Sequence, residues 1–452
     1  MIKIQRFMLA LLCLFFSSAF SIGQVDCNCY EGINRNIHGN TTSDYKYGAH
    51  QNLTSQQFIK TNHDIEIAAA ESITIGFPFQ IETGGTLSAY IQECNSLNDS
   101  TQVIIVGAGA AGLTAAYLLN QLGIDYKILE ASSTYGGRMK KTESFTNFPI
   151  PLGAEWIHTN ESILNEIVNN DGIQHSTSTV GYNSNDPYGY VNNGNYSVDV
   201  LGQYDDKKFV NSSWLNFFED QIVPKVSDHI TYNSVVSNID YSNQNVIVST
   251  SGGQSYSADK VIVTVPLKIL QSNVLTFTPS LPTYKQNAIN NSQMWDGLKV
   301  FIKFNSKFYP TFVEYNVSGG EKLFFDAAYG QNTSDHVLGF FSVGTPAQSY
   351  VSLTDTQIKD QLLSELDAIF NNQASAGFVD FVVQNWTNET YAQGAYVRDN
   401  ESYSRVSNMG DSVSNKVFFA GEGYTDGNDW GSVHNAVRSA RTAVEEIIAN
   451  LK

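Results

Sequence analysis

Cysteine is scarce in this chain: four in 452 residues (Cys13, Cys27, Cys29 and Cys94) and none beyond position 94. Everything after Cys94 is therefore closed to Cys-ligated zinc, to iron–sulfur clusters and to a cysteine nucleophile. Basic residues are also few. Lys and Arg number 26 against 44 Asp and Glu, a formal charge of −18, and no basic run exceeds the pairs Lys140-Lys141 and Lys207-Lys208. Phosphate neutralisation along a nucleic acid needs a basic surface, so no nucleic-acid partner is expected. No apolar segment after the first twenty residues is long enough for a membrane-spanning helix, which takes roughly 20 residues. What the chain does have is 42% hydrophobic and 12% aromatic residues with only 15% charged ones. That is the composition of a folded protein of two or three domains at about 100–200 residues each.

Lys3 and Arg6 precede an apolar run from Phe7 to Phe16, and the small residues Ser17, Ser18, Ala19 and Ser21 follow. This is the layout of a secretory signal peptide, so residues 1–23 are expected to be removed and the protein to be secreted or periplasmic. An export compartment permits one disulfide, from Cys94 to Cys27 or Cys29, and leaves one thiol over. Sequons such as Asn40 and Asn332 would carry glycans only in a eukaryotic secretory route.

Residues 24–62 are rich in Asn, Thr and Ser and read as a polar linker or arm. The segments His63–Ile67, Glu71–Ile75 and Thr86–Ile91 alternate apolar with polar residues and predict three short strands, so 24–98 is expected to be an arm plus a small β-rich module. Past Asn98 the pattern changes. Gln102–Val106 is a continuous apolar run of the kind found in buried parallel strands, Gly109–Leu122 predicts a helix, and Asp125–Glu130 a second strand. Strands are further predicted at Asn245–Thr250, Lys260–Val265, Leu298–Phe304 and Lys416–Ala420, with helices at Thr354–Phe370 and Ser432–Leu451.

The sequence Gly107-Ala-Gly109-Ala-Ala-Gly112 joins the first strand to the helix. The first glycine permits the tight turn, the second lets the backbone approach a pyrophosphate, and the third allows close packing of helix on strand. The helix N-terminus adds unpaired N–H groups and positive dipole. Glu130, at the end of the second strand, is placed to accept hydrogen bonds from ribose hydroxyls. Together these features predict a dinucleotide site.

The next segment, Glu130-Ala-Ser-Ser-Thr-Tyr-Gly136-Gly137-Arg138, resembles the E-A-x-x-x-x-G-G-R run of flavin amine oxidases. Leu152-Gly-Ala-Glu155-Trp156-Ile-His158 resembles the L-G-A-x-W-[IV]-[HE] segment of polyamine oxidases. Phe418-Phe-Ala-Gly421-Glu422, with Gly431-Ser432-Val433-His434-Asn-Ala, resembles the closing signature of the same family, and Met294–Phe304 its lysine-bearing strand. The chain from 102 to 452 is thus identified as a member of the FAD-dependent amine oxidase superfamily, nearest to polyamine oxidases.

That resemblance implies an α/β fold in which a Rossmann-like FAD-binding domain (99–160 with 230–275 and 405–452) carries an inserted substrate domain of mixed sheet and helices (161–229 with 276–404). It implies FAD bound without a cysteinyl link. Gly107, Gly109, Ala111, Gly112, Gly137 and Arg138 would serve the phosphate region, Glu130 the ribose, and Val236 the adenine. Glu155 and Trp156 would flank the isoalloxazine, with Gly421, Glu422, Ser432 and Val433 along the ribityl–pyrophosphate side. Lys299 would hold a water against flavin N5, His158 would meet the substrate amine, and Tyr396 would form an aromatic wall. Hydride passes from the amine to flavin N5, the imine hydrolyses to an aldehyde, and O₂ is expected as the acceptor, giving H₂O₂. On the residues alone, Lys299, Phe301 and Lys303 share one strand face and also fit a solvated surface.

Three departures bear on substrate. Only 71 residues separate His158 from Ile230, a span longer in polyamine oxidases, so the substrate domain is expected to be trimmed. Ser432 stands where several relatives carry an aromatic, with Trp430 nearby as a substitute. Asn435 and Ala440 replace glycines of the terminal helix. An L-amino-acid oxidase, and a degenerate FAD-binding surface protein whose N-terminal module does the biological work, are the alternative readings.

Overall fold

The structure, a computed structural model, describes residues 2–5, 35–91 apart from 41–44, 50–51, 60–63, 70–71, 76–79, 82 and 84, and 101–450 apart from 169–175, 399–402 and 425–430. Cys27, Cys29, Cys94 and Trp430, and with them the disulfide expectation and the Trp430 substitution, lie outside the described residues.

A polar arm was expected over residues 24–62, but Arg35–Asn40, Tyr45–Ala49 and Asn52–Ile59 are strands. They and the later strands Asp64–Ala69, Ser72–Ile75, Gln80–Ile81 and Thr86–Ile91 form two sheets of largely parallel pairing. Arg35 lies opposite Leu53, Tyr45 opposite Ile65, Asn52 opposite Ser72 and Asp64 opposite Thr86. A repeat of about twenty residues is the mark of stacked coils, in which each turn is paired by its neighbours' backbone. Composition hid it because backbone pairing between coils tolerates Asn, Thr and Ser. Ile2–Gln5 adds an antiparallel strand to Ser72–Ile75. Among the described residues no helix is long and apolar enough to cross a membrane.

The dinucleotide sheet has eight strands. Ile230–Thr231, Tyr126–Leu129, Thr101–Val106 and Ser255–Val263 run parallel in that order, and Val417–Phe419 pairs with the end of Ser255–Val263. Val103–Val106 are almost fully buried, as an unbroken apolar run demands of a strand covered on both faces. Helix Ala110–Leu122 ends on Gly123 at φ 66°, a left-handed cap that glycine adopts without steric cost. It packs against helix Val433–Ala449, whose Val433, Ala436, Val437, Ala440, Val444 and Ile447 recur at helical spacing and are buried.

A second sheet of seven strands carries Gly297–Phe304 between His336–Gly344 and Phe378–Asn385. Helix Asp355–Phe370, opened by a capping box of Thr354 and Gln357, covers one face through Ile358, Leu362 and Leu366 against Val300 and Ile302. The opposite face holds Lys299 and Phe301, 3% and 0% exposed. The solvated-surface account of Lys299 is therefore overturned.

Side-chain packing joins several segments to one core or the other. Ile163–Val168 and Trp214–Val226 pack into the core of the dinucleotide domain, and so do Leu281, Ala288 and Ile289. Phe145–Leu152 packs instead with Phe301, Phe312 and Phe325 on the substrate side. Chain order does not reveal which core an apolar segment joins.

Candidate active site

Between the two sheets lies a cleft of ≈ 1180 Å³. Every expected site residue lines it except Gly112. Gly107 turns the chain at φ 107°, and a Cβ there would meet Thr264 Oγ1 at 2.7 Å. Gly112 sits behind the turn, where a Cβ would lie 1.9 Å from the Gly107 carbonyl oxygen. At Gly109 a Cβ would have no protein atom within 4 Å, so the chain keeps its backbone bare toward open cleft. Gly136, at φ 101°, donates its N–H to the Ala108 carbonyl at 2.8 Å and brings the second glycine loop alongside the first. Glu130 lines the cleft beside them, and its carboxylate accepts the Ala108 N–H at 2.6 Å and the Ser132 N–H at 2.8 Å. Val236 closes this end of the cleft.

The guanidinium of Arg138 is engaged by protein. Its Nη1 donates to Glu422 Oε1 at 2.9 Å and to the Ala395 carbonyl at 2.7 Å, while the Val397 N–H approaches the same carboxylate at 3.3 Å. One ion pair thus ties the glycine loop to two late segments. Gly421 is clamped to the terminal helix by Ser439, which accepts its N–H and donates to its carbonyl, both at 2.8 Å. Ser432 Oγ lies 3.1 Å from His434 Nε2 at the start of that helix, and Asn435 and Ala440 are buried within it. Arg138→Met leaves the Glu422 carboxylate, 9% exposed, without its cation. A loss of about 3 kcal/mol is expected, the low end for a broken buried pair because Arg138 is partly open to the cleft. Thermal unfolding checks it. The double variant Arg138→Met/Glu422→Gln should recover most of the loss.

The floor beneath is a cluster of charge among rings. Lys299 Nζ lies 2.7 Å from Glu155 Oε2, and Lys208 Nζ lies 3.1 Å from Glu155 Oε1. Lys299 also sits over the Trp156 ring at 4.9 Å and the Phe325 ring at 5.4 Å. Burial pulls the Lys299 ammonium below the usual lysine range, Glu155 opposes the shift, and Lys208 adds to it. Trp156 donates its indole N–H to the Tyr182 hydroxyl at 2.9 Å and packs edge-on against Phe325. The Tyr182 phenol is pushed well up, by burial first.

Above the floor, Tyr396 and Phe341 present rings whose planes differ by 4°, with centroids 6.5 Å apart. Trp295 backs Tyr396 at 5.6 Å. His158 is at the mouth, its side chain 41% exposed, with Nδ1 2.9 Å from Asp206 Oδ2. Phe341, Asp206, Lys208 and Ser439 were not anticipated. The pair Lys207-Lys208 had been visible only as a short basic run, and its pairing depends on a backbone bridge between Ile157 and Lys207. Among the described residues no group of His, Cys, Asp or Glu could hold a metal ion.

The model of a family described as flavin containing amine oxidoreductase matches residues 110–227 and 216–448. Polyamine oxidase 4 of Oryza sativa subsp. japonica is 24% identical, over 82% of this chain and 92% of its own length. Polyamine oxidase 1 of Zea mays is 25% identical, over 77% and 90%. Lysine-specific histone demethylase 2 of Homo sapiens is 25% identical over 71% of this chain but only 50% of its own. A solved structure of putrescine oxidase bound to putrescine superposes with a TM-score of 0.65 at 14% identity, covering 77% of this chain and 99% of that one.

Proposed function

The chain belongs to the flavin containing amine oxidoreductase family, and we propose from that premise that it oxidises a polyamine, or another primary or secondary amine, outside the cytoplasm and passes the electrons to O₂. As a member of that family it is an FAD-dependent oxidoreductase acting on CH–NH groups. The bare backbone at Gly109, the Glu130 carboxylate and the helix N-terminus at Ala110 suit the dinucleotide part of FAD. When bound, FAD supplies the two-electron acceptor between amine and O₂.

In the proposed reaction the substrate gives up a hydride from the carbon bearing nitrogen and a proton from nitrogen, leaving a C=N bond. Water then adds to yield an aldehyde and an amine or ammonia, and O₂ takes up two electrons and two protons as H₂O₂. Among the residues, Tyr396 and Phe341 would flank the amine and exclude water. Lys299 would hold a water or a proton at its Nζ. With the His158 Nδ1–H donated to Asp206, Nε2 presents a lone pair for an ammonium proton. Carboxylates at Asp206, Glu321 and Glu389 favour a cationic substrate, and the lysines and arginine on the same lining, Arg138, Lys140, Lys141 and Lys299, are each paired with an acid. Among the described residues a carboxylate substrate therefore finds no unpaired lysine or arginine on the lining, which weighs against an amino-acid oxidase.

The observation that carries the reading is the buried Lys299, placed with two parallel rings in the same cleft as the glycine cradle. The test is an absorbance spectrum of the purified protein, followed by anaerobic addition of spermine, spermidine, monoamines and amino acids. Bleaching of the flavin bands by an amine, with H₂O₂ released on admitting air, is expected. Bands that no amine bleaches would favour the degenerate surface protein. Export rests on Lys3, Arg6 and the Phe7–Phe16 run, and a mature N-terminus near residues 19–23 in secreted material is its check.

A further inference from the structure

Resting on the amine-oxidase reading for its catalytic meaning, the floor of the cleft carries one inference more. Lys208, Glu155 and Lys299 have side-chain exposures of 4%, 2% and 4%. With both lysines charged, the cluster would bury a net positive charge, an arrangement that low-dielectric surroundings penalise strongly. One ammonium is the weaker member, and the acceptors show which. Lys208 Nζ donates to the Ala327 carbonyl at 2.9 Å and the Asp326 carbonyl at 3.3 Å, and lies at ion-pair distance, 3.1 Å, from Glu155 Oε1. Two carbonyl acceptors and an ion-paired carboxylate suit a charged ammonium. Lys299 Nζ has, among the described residues, one hydrogen-bond acceptor, Glu155 Oε2, and otherwise the rings of Trp156, Phe325 and Phe301.

We infer that Lys208 is the standing cation of this cluster, a positioning residue that neutralises Glu155 and so leaves Lys299 as the amine that exchanges a proton with the cleft. Its place is set by backbone: Ile157 and Lys207 exchange N–H···O bonds of 2.8 and 3.2 Å, which aligns Lys208 with Glu155. The other ionisable groups around Lys299 are Tyr182, reached through Trp156, the His158–Asp206 pair beyond it, and Glu321 on the cleft wall. Lys303 on the same strand is paired with Asp335, and the Asp326 carboxylate with Lys307. Without Lys208, Glu155 would hold Lys299 as an ammonium, and its proton would come off at higher pH.

The test follows lysine side-chain NMR signals against pH in the FAD-loaded protein, with Lys299→Met and Lys208→Met supplying the assignments. In the wild type, Lys299 is expected to lose its proton before Lys208. In Lys208→Met the Lys299 titration, and with it the acid limb of the kcat–pH profile, should move up by about one pH unit or more, and Lys208→Arg should restore both. A wild-type protein in which Lys208 deprotonates first would overturn the inference. So would an unmoved Lys299 titration in a folded Lys208→Met. Because the NMR titration needs no turnover, failure of the amine-oxidase reading would show separately, as flavin that no amine reduces.

Discussion

Lys299→Met is expected to slow turnover by about 10²-fold or more, the usual scale for removing a group that handles a proton at the reacting centre, while leaving the unfolding temperature unchanged or higher. The two halves of that result have one cause. Lys299 is buried among Trp156, Phe301 and Phe325 and shares a single carboxylate with Lys208. Methionine of similar length fills the apolar space, and what remains is a neutral Lys208–Glu155 pair, so the buried charge falls. Rapid mixing should locate the defect by measuring anaerobic flavin reduction and reoxidation by O₂ separately. If neither rate changes, Lys299 has no part in the chemistry. If the protein instead unfolds, its role is structural. Glu155→Ala is the opposite case, because it strands two buried lysines and should be the more destabilising change.

Alanine at Gly112 and alanine at Gly109 are expected to separate folding from cofactor binding within a single turn of chain. At Gly112 the new Cβ would lie 1.9 Å from the Gly107 carbonyl oxygen, a backbone atom with nowhere to go between helix and strand. The helix must lift from the sheet. Overpacking of a core costs about 1–3 kcal/mol where side chains can yield, and more is expected here because backbone must move. Soluble yield and thermal stability should fall together. At Gly109 the new Cβ meets no protein atom, and φ −81° suits alanine. The protein should therefore fold as before, while its affinity for FAD drops, as read by flavin retained through desalting. Equal stability of the two variants would contradict the close helix–strand contact.

Much of the dinucleotide half was legible in the chain because its determinants are local. A buried strand, three glycines and a helix start follow one another within twenty residues, and each answers to backbone sterics that need no distant partner. Glu130 could be singled out by its place at the strand end, and Arg138 and Lys299 by the resemblance of their segments to family motifs. What each touches could not. Arg138 meets Glu422 at a separation of 284 positions, Lys299 meets Glu155 at 144, and His158 meets Asp206 at 48. Periodicity put Lys299 on a strand face with Lys303, and only the packing of that face against Trp156 and Phe325 made it the buried one. The coils before residue 92 escaped notice because pairing between successive turns is made by backbone, which leaves little mark on composition. Sequence by itself determined the cradle, the strands and helix that flank it and the absence of thiol chemistry beyond Cys94, since these depend on residue identity and short-range geometry. Tertiary structure decided which lysines share Glu155, which ion pairs close the cleft and which core each apolar segment joins, because burial and charge pairing belong to segments that meet only when the chain is folded.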